Sequence, residues 1–160
     1  MKDEKRKEQR NQEEATMNKK SVLVFILTLV AICAAGHGEA ADKTPQQLVQ
    51  EAKAVIQEVT VGDSKKMLDT KEALIVLDVR DSQEFAEGHI PGAINISRGS
   101  LEFKVAMIIP DKHSKIIVYC GLDLRAPLAT KTLNDLGYKK AVNMIGGLEA
   151  WKQAGYPTVK

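Results

Sequence analysis

The sequence predicts an α/β domain built on a mainly parallel sheet. Three observations carry this. Two continuous apolar runs, at 74–79 and at Ile116, Ile117 and Val118, have the composition of strands buried on both faces. Stretches with apolar residues at helical spacing alternate with such runs along the chain. Several of those stretches open on capping residues or stop at glycine or proline.

Taken in order, Thr44, Pro45 and Gln47 form a helix start, with threonine as cap, proline at the first position and glutamine at the third. Leu48, Val49, Ala52, Val55, Ile56 and Val59 then recur at helical spacing, so a helix is expected over 42–58. Thr60 and Val61 are expected to begin a short edge strand. Asp63 or Ser64 is expected to cap a second short helix carrying Met67 and Leu68. The run 74–79 reads as a buried strand. Asp81 with Glu84 is a second capping box, opening a short helix through Phe85. Residues 88–92 are rich in turn formers, and 93–96 read as a short strand. A helix is expected over 101–109, ended by Pro110. The strand at 116–118 is followed by helices over 126–136, stopped by Gly137, and from Gly146 and Gly147 through Trp151, with a strand at 141–145 between them.

The chain has 160 residues and a net charge of +2, enough for one domain with a real core. No basic stripe interleaved with aromatics is present, so nucleic acid is not an expected partner. The two cysteines, Cys33 and Cys120, and the scattered His37, His89 and His113 show no metal-ligand spacing, and neither metal nor cofactor is expected.

Residues 1–16 are almost wholly polar or charged. They are expected to be a disordered extension, or to lie upstream of a true start at Met17. Lys19 and Lys20 then precede an apolar run of about fourteen residues ending in small residues. Residues 17–40 therefore read as a secretory signal peptide cut after Ala40. The run is short of the roughly 20 residues that span a bilayer. The alternative is an uncleaved signal anchor, which would be the only expected membrane contact. Either way the domain, placed at 59–160, is expected to be exported, in the periplasm. Cleavage would leave Cys120 as the only cysteine, with no internal disulfide possible.

The strand at 116–118 ends in Tyr119 and Cys120. Gly121, Leu122, Asp123, Leu124 and Arg125 follow, and then a helix. In an open α/β sheet, ligands bind beyond the carboxyl ends of the strands. The unpaired amides of a first helical turn favour negative charge there. A cysteine so placed is expected to ionise readily, and the thiolate is the nucleophilic form. Arg125 adds a planar cationic fork for an oxyanion. A free cysteine at a strand end reads equally as a small buried hydrophobe. The oxidising compartment and the strand-end position, expected to lie outside the deep core, favour the reactive reading.

Three stretches together resemble the rhodanese (sulfurtransferase) domain family, as an exported single-domain type. They are Leu77-Asp78-Val79-Arg80 with residues 84–96, the loop from Cys120 to Arg125, and residues 146–151 with Gly155-Tyr156-Pro157. The resemblance implies a five-stranded parallel sheet with helices on both faces. It implies that Cys120 accepts a sulfane sulfur from a small anion (thiosulfate, polysulfide or persulfide). The resulting persulfide passes it to a thiol, cyanide or a protein thiol. The amides of Gly121, Leu122, Asp123 and Leu124 would surround the sulfur, and Arg125 would bind the donor's anionic end. Four residues separate Cys120 from Arg125, as in sulfurtransferases; the phosphatases of this fold have one more. Asp123 stands where such loops usually carry glycine. A carboxylate there is expected to oppose thiolate formation and to repel anionic donors, which counts against thiosulfate. The alternative is a non-catalytic rhodanese-like binding module.

Other polar residues read as scaffolding. Arg80 and Glu84 are expected to pair structurally, Asp78 to hold loop backbone, and His89 to fix its turn. His113 is expected at the surface, Trp151 in the core, and Tyr119 either packed or flanking the pocket.

Overall fold

Strand β4 (Lys115–Tyr119) is the middle of the sheet in this computed structural model, which describes residues 5–6, 42–70 and 73–160. The expected signal segment, Cys33 and His37 lie outside the described residues. Among the described residues no helix is long and apolar enough to cross a membrane. Residues 43–160 form one compact unit.

Five strands lie in the order β1 (Gln57–Val59), β5 (Ala141–Met144), β4, β2 (Leu74–Asp78) and β3 (Ile94–Asn95), and every pair is parallel. The register sets Ile75 beside Ile116 and Val76 beside Ile117. Both faces are covered, which is why β2 and β4 read as unbroken apolar runs. On one face Leu77, Ile116 and Val118 pack against α4 (Leu101–Ile108) and α5 (Arg125–Asp135). On the other, Val76, Ile117, Tyr119 and Met144 pack against α2 (Val61–Asp69) and α6 (Gly147–Gln153). Helix α1 (Pro45–Lys53) lies against α5, and α3 (Ser82–Glu87) follows β2.

Both capping boxes form as expected, at Thr44 with Gln47 and at Asp81 with Glu84. Three local expectations are corrected. Helix α1 stops at Lys53 rather than running to 58, and Gln57–Val59 becomes a strand paired with β5. No edge strand begins at Thr60. Thr60 is instead the cap of α2, its hydroxyl accepting from the Asp63 amide at 3.1 Å, so neither Asp63 nor Ser64 caps that helix. A 3₁₀ turn, Arg98–Ser100, precedes α4.

Candidate active site

The loop at the end of β4 is built by three elements. β4 delivers Cys120, α5 receives the chain at Arg125, and α6 grips the turn between them from the side. The amide of Leu148 donates to the Cys120 carbonyl at 2.7 Å, and that of Glu149 to the Gly121 carbonyl at 3.2 Å. In a trans peptide the N–H points opposite the C=O. The amides of Gly121 and Leu122 are therefore directed away from α6. Among the described residues, the amides of Gly121, Leu122, Asp123 and Leu124 donate no hydrogen bond, and no side chain caps α5. Beside the cysteine stand N–H groups that no other described residue uses, at the positive end of an 11-residue helix.

Cys120 itself is only 1% exposed and belongs to the buried apolar cluster that also holds Val79, Ile96 and Ala126. This corrects the expected open position. The sequence locates the strand end, whereas the depth comes from the buried side-chain cluster that Cys120 joins, assembled from residues far apart in the chain. Leu122 and Leu124 are the exposed residues of the loop, at 69% and 56%. Beside Leu124 and Arg125 opens a cavity of about 220 Å³, closed by Pro45, Gln46, Val49 and Leu128.

Asp123 has φ 62°, and among the described residues it is the one non-glycine in the left-handed region. The backbone thus keeps the conformation that glycine would adopt there. Its carboxylate is turned to Lys53, whose Nζ donates to Oδ2 at 2.5 Å, and to Asn143, whose Nδ2 donates to Oδ1 at 2.8 Å. The carboxylate expected to oppose a thiolate is therefore not left open: it is paired with an ammonium, which Glu58 shares at 3.6 Å. Burial pulls the Lys53 ammonium down, but the hydrogen bonds and charges of Asp123 and Glu58 more than offset it and hold it above its ordinary value.

Arg125 is not a free anion clamp. Its Nη1 and Nη2 donate to the two carboxylate oxygens of Glu84 at 2.6 and 2.8 Å, and Asp81 lies 3.7 Å away. The hydrogen bond to Glu84 raises the guanidinium further above its usual range, and a Cys120 thiolate lies near enough to add to this. The expected pairing of Glu84 with Arg80 is corrected. Arg80 instead turns back on Asp78, with Nη2 to Oδ2 at 2.6 Å, and donates to the Gly88 carbonyl at 2.8 Å. Asp78 also accepts from the Arg80 amide at 2.9 Å, the backbone role expected of it. A side chain at Gly121 would meet the Arg125 guanidinium and the aliphatic stem of Arg80, with Arg125 Nη2 and Arg80 Cδ each 3.9 Å from its Cβ position.

The hydrogen bond from Arg125 holds the Glu84 carboxyl down to about 2, against burial, from 4.5. A lowered folded-state value stabilises the fold above pH 4.5 and loses that contribution as the pH falls towards 2. Both side chains are more than a third exposed, so screening limits the effect to about 1 kcal/mol. Urea midpoints of the wild type and Glu84→Gln are expected to differ at pH 6 and to converge by about pH 2.

The remaining residues fall where expected. His89 Nδ1 lies 2.9 Å from the Phe85 carbonyl, with the two rings stacked, and its amide donates to Val159. Trp151 is core, its indole donating to the Pro157 carbonyl at 2.8 Å. Tyr119 is fully buried and its hydroxyl accepts from the Ile90 amide. His113 is exposed and lines a separate cavity with Ala73, Lys115 and Lys140, at the amino ends of the strands. Among the described residues no three His, Cys, Asp or Glu side chains are gathered for a metal ion. Lys53, Asn143 and Gly147 are site residues that sequence reasoning misses. The paired glycines at 146 and 147 are visible as a turn, but nothing local links Lys53 or Asn143 to position 123.

The description "Rhodanese-like domain" matches residues 60–154. The chain is 33% identical over 97 residues to the putative sulfurtransferase YtwF of Bacillus subtilis, covering 61% of this chain and 91% of that one. It is 30% identical over 96 residues to the putative sulfur carrier protein YrkF of the same organism. That match covers 60% of this chain but only 51% of YrkF. A solved structure from Rhodopseudomonas palustris, of unknown function and described as a possible tyrosine phosphatase, aligns with TM-score 0.68 and 30% identity. It covers 76% of this chain and 98% of its own. With its parallel five-stranded sheet, its cysteine loop and this match over more than half its length, the chain belongs to the rhodanese-like domain family.

Proposed function

We propose that the domain is a sulfurtransferase in which Cys120 carries one sulfane sulfur as a persulfide. The observation that supports this best is the loop itself. Cys120 stands at the head of a four-residue turn whose amides donate to no other described residue. The Cys120 thiolate attacks the outer sulfur of a donor, the donor's S–S bond breaks, and its remainder leaves as an anion. An acceptor thiolate or cyanide then attacks the outer sulfur, and the Cys120 thiolate departs. Two displacements replace one, and no oxidant is consumed. The loop amides stabilise the negative sulfur in both steps. Burial at 1% exposure shields the resting Cys120 thiol from oxidation.

The donor follows from charge. Arg80 and Arg125 are each matched by a carboxylate, and the loop carries two exposed leucines. A dianion such as thiosulfate finds no uncompensated cation there, whereas an organic persulfide brings a single charge and an apolar body. With cyanide as acceptor, kcat/KM for thiosulfate is expected to be about tenfold or more below that for an alkyl persulfide. Glu84→Gln, which frees the Arg125 fork, is expected to raise the thiosulfate value severalfold, on the order of 1 kcal/mol. The reading itself is tested by mass spectrometry after incubation with polysulfide or persulfide. A gain of one sulfur on Cys120, released by cyanide, is expected; no adduct with any sulfane donor removes it.

The burial of Cys120 favours a second reading, a non-catalytic rhodanese-like module, for which that adduct is absent. The four-residue spacing to Arg125 argues against a phosphatase. Export through residues 17–40 belongs to the same proposal, and amino-terminal sequencing of the mature protein tests it.

A further inference from the structure

We propose that helix α1 belongs to the active site, with Lys53 as the positioning residue that fixes the Cys120 loop through Asp123. The inference rests on the sulfurtransferase reading for its kinetic consequence, though not for its geometry.

A non-glycine residue in the left-handed region persists only where its surroundings over-determine it. At Asp123 three elements supply the restraint. Lys53 comes from the last turn of α1, Glu58 from β1 and Asn143 from β5. Asn143 Nδ2 donates both to Asp123 and, at 2.7 Å, to Glu58; Lys53 Nζ lies 3.6 Å from Glu58. Two carboxylates therefore share one ammonium and one amide. Remove the ammonium, and two anions face each other across Asn143, one of them on a residue only 8% exposed. Relief is available by letting Asp123 swing out, which rotates the peptides on either side of it. Those peptides carry the Asp123 and Leu124 amides that the mechanism uses.

The ammonium is well placed to prevent this. Helix α1 is closed at its start by a capping box and Pro45, and Ala52, next to Lys53, is fully buried. Lys53 is 24% exposed, held on a packed helix rather than on a loop. Lys53 and Glu58 both lie outside the residues 60–154 that match the family description. Where glycine would hold the turn unaided, this chain uses a buried aspartate and a lysine from a helix outside those matched residues.

The test is a double-mutant cycle on the full chain, comparing wild type, Lys53→Met, Asp123→Gly and the pair, with Lys53→Arg as rescue. Sulfur transfer from polysulfide to cyanide is resolved into kcat and KM, with thermal midpoints taken alongside. Lys53→Met is expected to lower kcat about tenfold or more while KM shifts less than about threefold. Lys53→Arg is expected to restore most of kcat. In the Asp123→Gly background, whatever its own rate, Lys53→Met is expected to change kcat by less than about twofold. Amide hydrogen exchange at Leu148 and Glu149, whose N–H groups donate to the Cys120 and Gly121 carbonyls of the loop, reads the clasp without any turnover. It is expected to quicken in Lys53→Met and to be insensitive to that change once glycine stands at 123. An equal loss of kcat in both backgrounds, a change in thermal midpoint alone, or unaltered exchange at Leu148 and Glu149 in Lys53→Met overturns the inference. An inactive wild type with the expected exchange pattern overturns the sulfurtransferase reading and leaves the clasp standing.

Discussion

Cys120→Ala is expected to abolish sulfur loading and to lower transfer by at least about three orders of magnitude, the scale on which a covalent nucleophile is lost. Its fold should survive. Alanine leaves a small void in the buried cluster that holds Val79, Ile96 and Ala126, and costs about 1 kcal/mol. Serine is the less clean probe, because it sets a hydroxyl in that apolar cluster at a cost of about 1–3 kcal/mol. The measurement is peptide-resolved mass spectrometry after polysulfide treatment. Localisation matters because the full sequence also carries Cys33. Sulfur on the peptide containing residue 120 in wild type, and on no peptide in Cys120→Ala, is the expected result. An equal sulfur load on the Cys33 peptide in both proteins would move the chemistry elsewhere.

The path from β4 through Cys120 into α5 is legible in the sequence because its signals are local. An apolar run, a turn opening on glycine and a proline near a helix start are all short-range features. Both capping boxes are legible for the same reason. The errors share the opposite cause. Val55, Ile56 and Val59 continue a helical spacing, yet residues 57–59 are claimed by β5, far along the chain. Arg80 and Glu84 are four apart, but Arg80 lies before the Asp81 cap, so the rule for facing helical side chains does not reach it. Arg80 bends back two residues to Asp78, and Glu84 meets Arg125 at 41 residues' separation. Asp123 shows in the sequence as a departure from the resembling loops. Its consequence does not show, because Lys53 and Asn143 stand 70 residues before it and 20 after it. What decides the charge around Cys120 is thus carried by tertiary pairs.

Gly147→Ala is expected to be the most damaging single methyl group in the domain, costing about 3–5 kcal/mol. Two penalties combine. The residue has φ 62°, which costs a side chain about 1 kcal/mol by itself. The added Cβ would then stand 2.4 Å from the Cys120 carbonyl oxygen and 2.8 Å from that of Gly121. These are backbone atoms of the active loop, which have no rotamer to change. Separating them pulls the loop from the Leu148 and Glu149 amides that hold its carbonyls. Gly155 provides the control. Its φ is 74° and an added methyl would meet nothing within 4 Å, so Gly155→Ala isolates the conformational penalty at about 1 kcal/mol. Urea midpoints should rank wild type above Gly155→Ala and Gly155→Ala well above Gly147→Ala. Sulfur transfer per folded molecule should fall for Gly147→Ala alone, because only there does the methyl displace the peptides whose amides face the sulfur. A Gly147→Ala protein as stable and as active as Gly155→Ala would mean that the loop backbone yields freely, and amides that yield freely are not preorganised to stabilise charge.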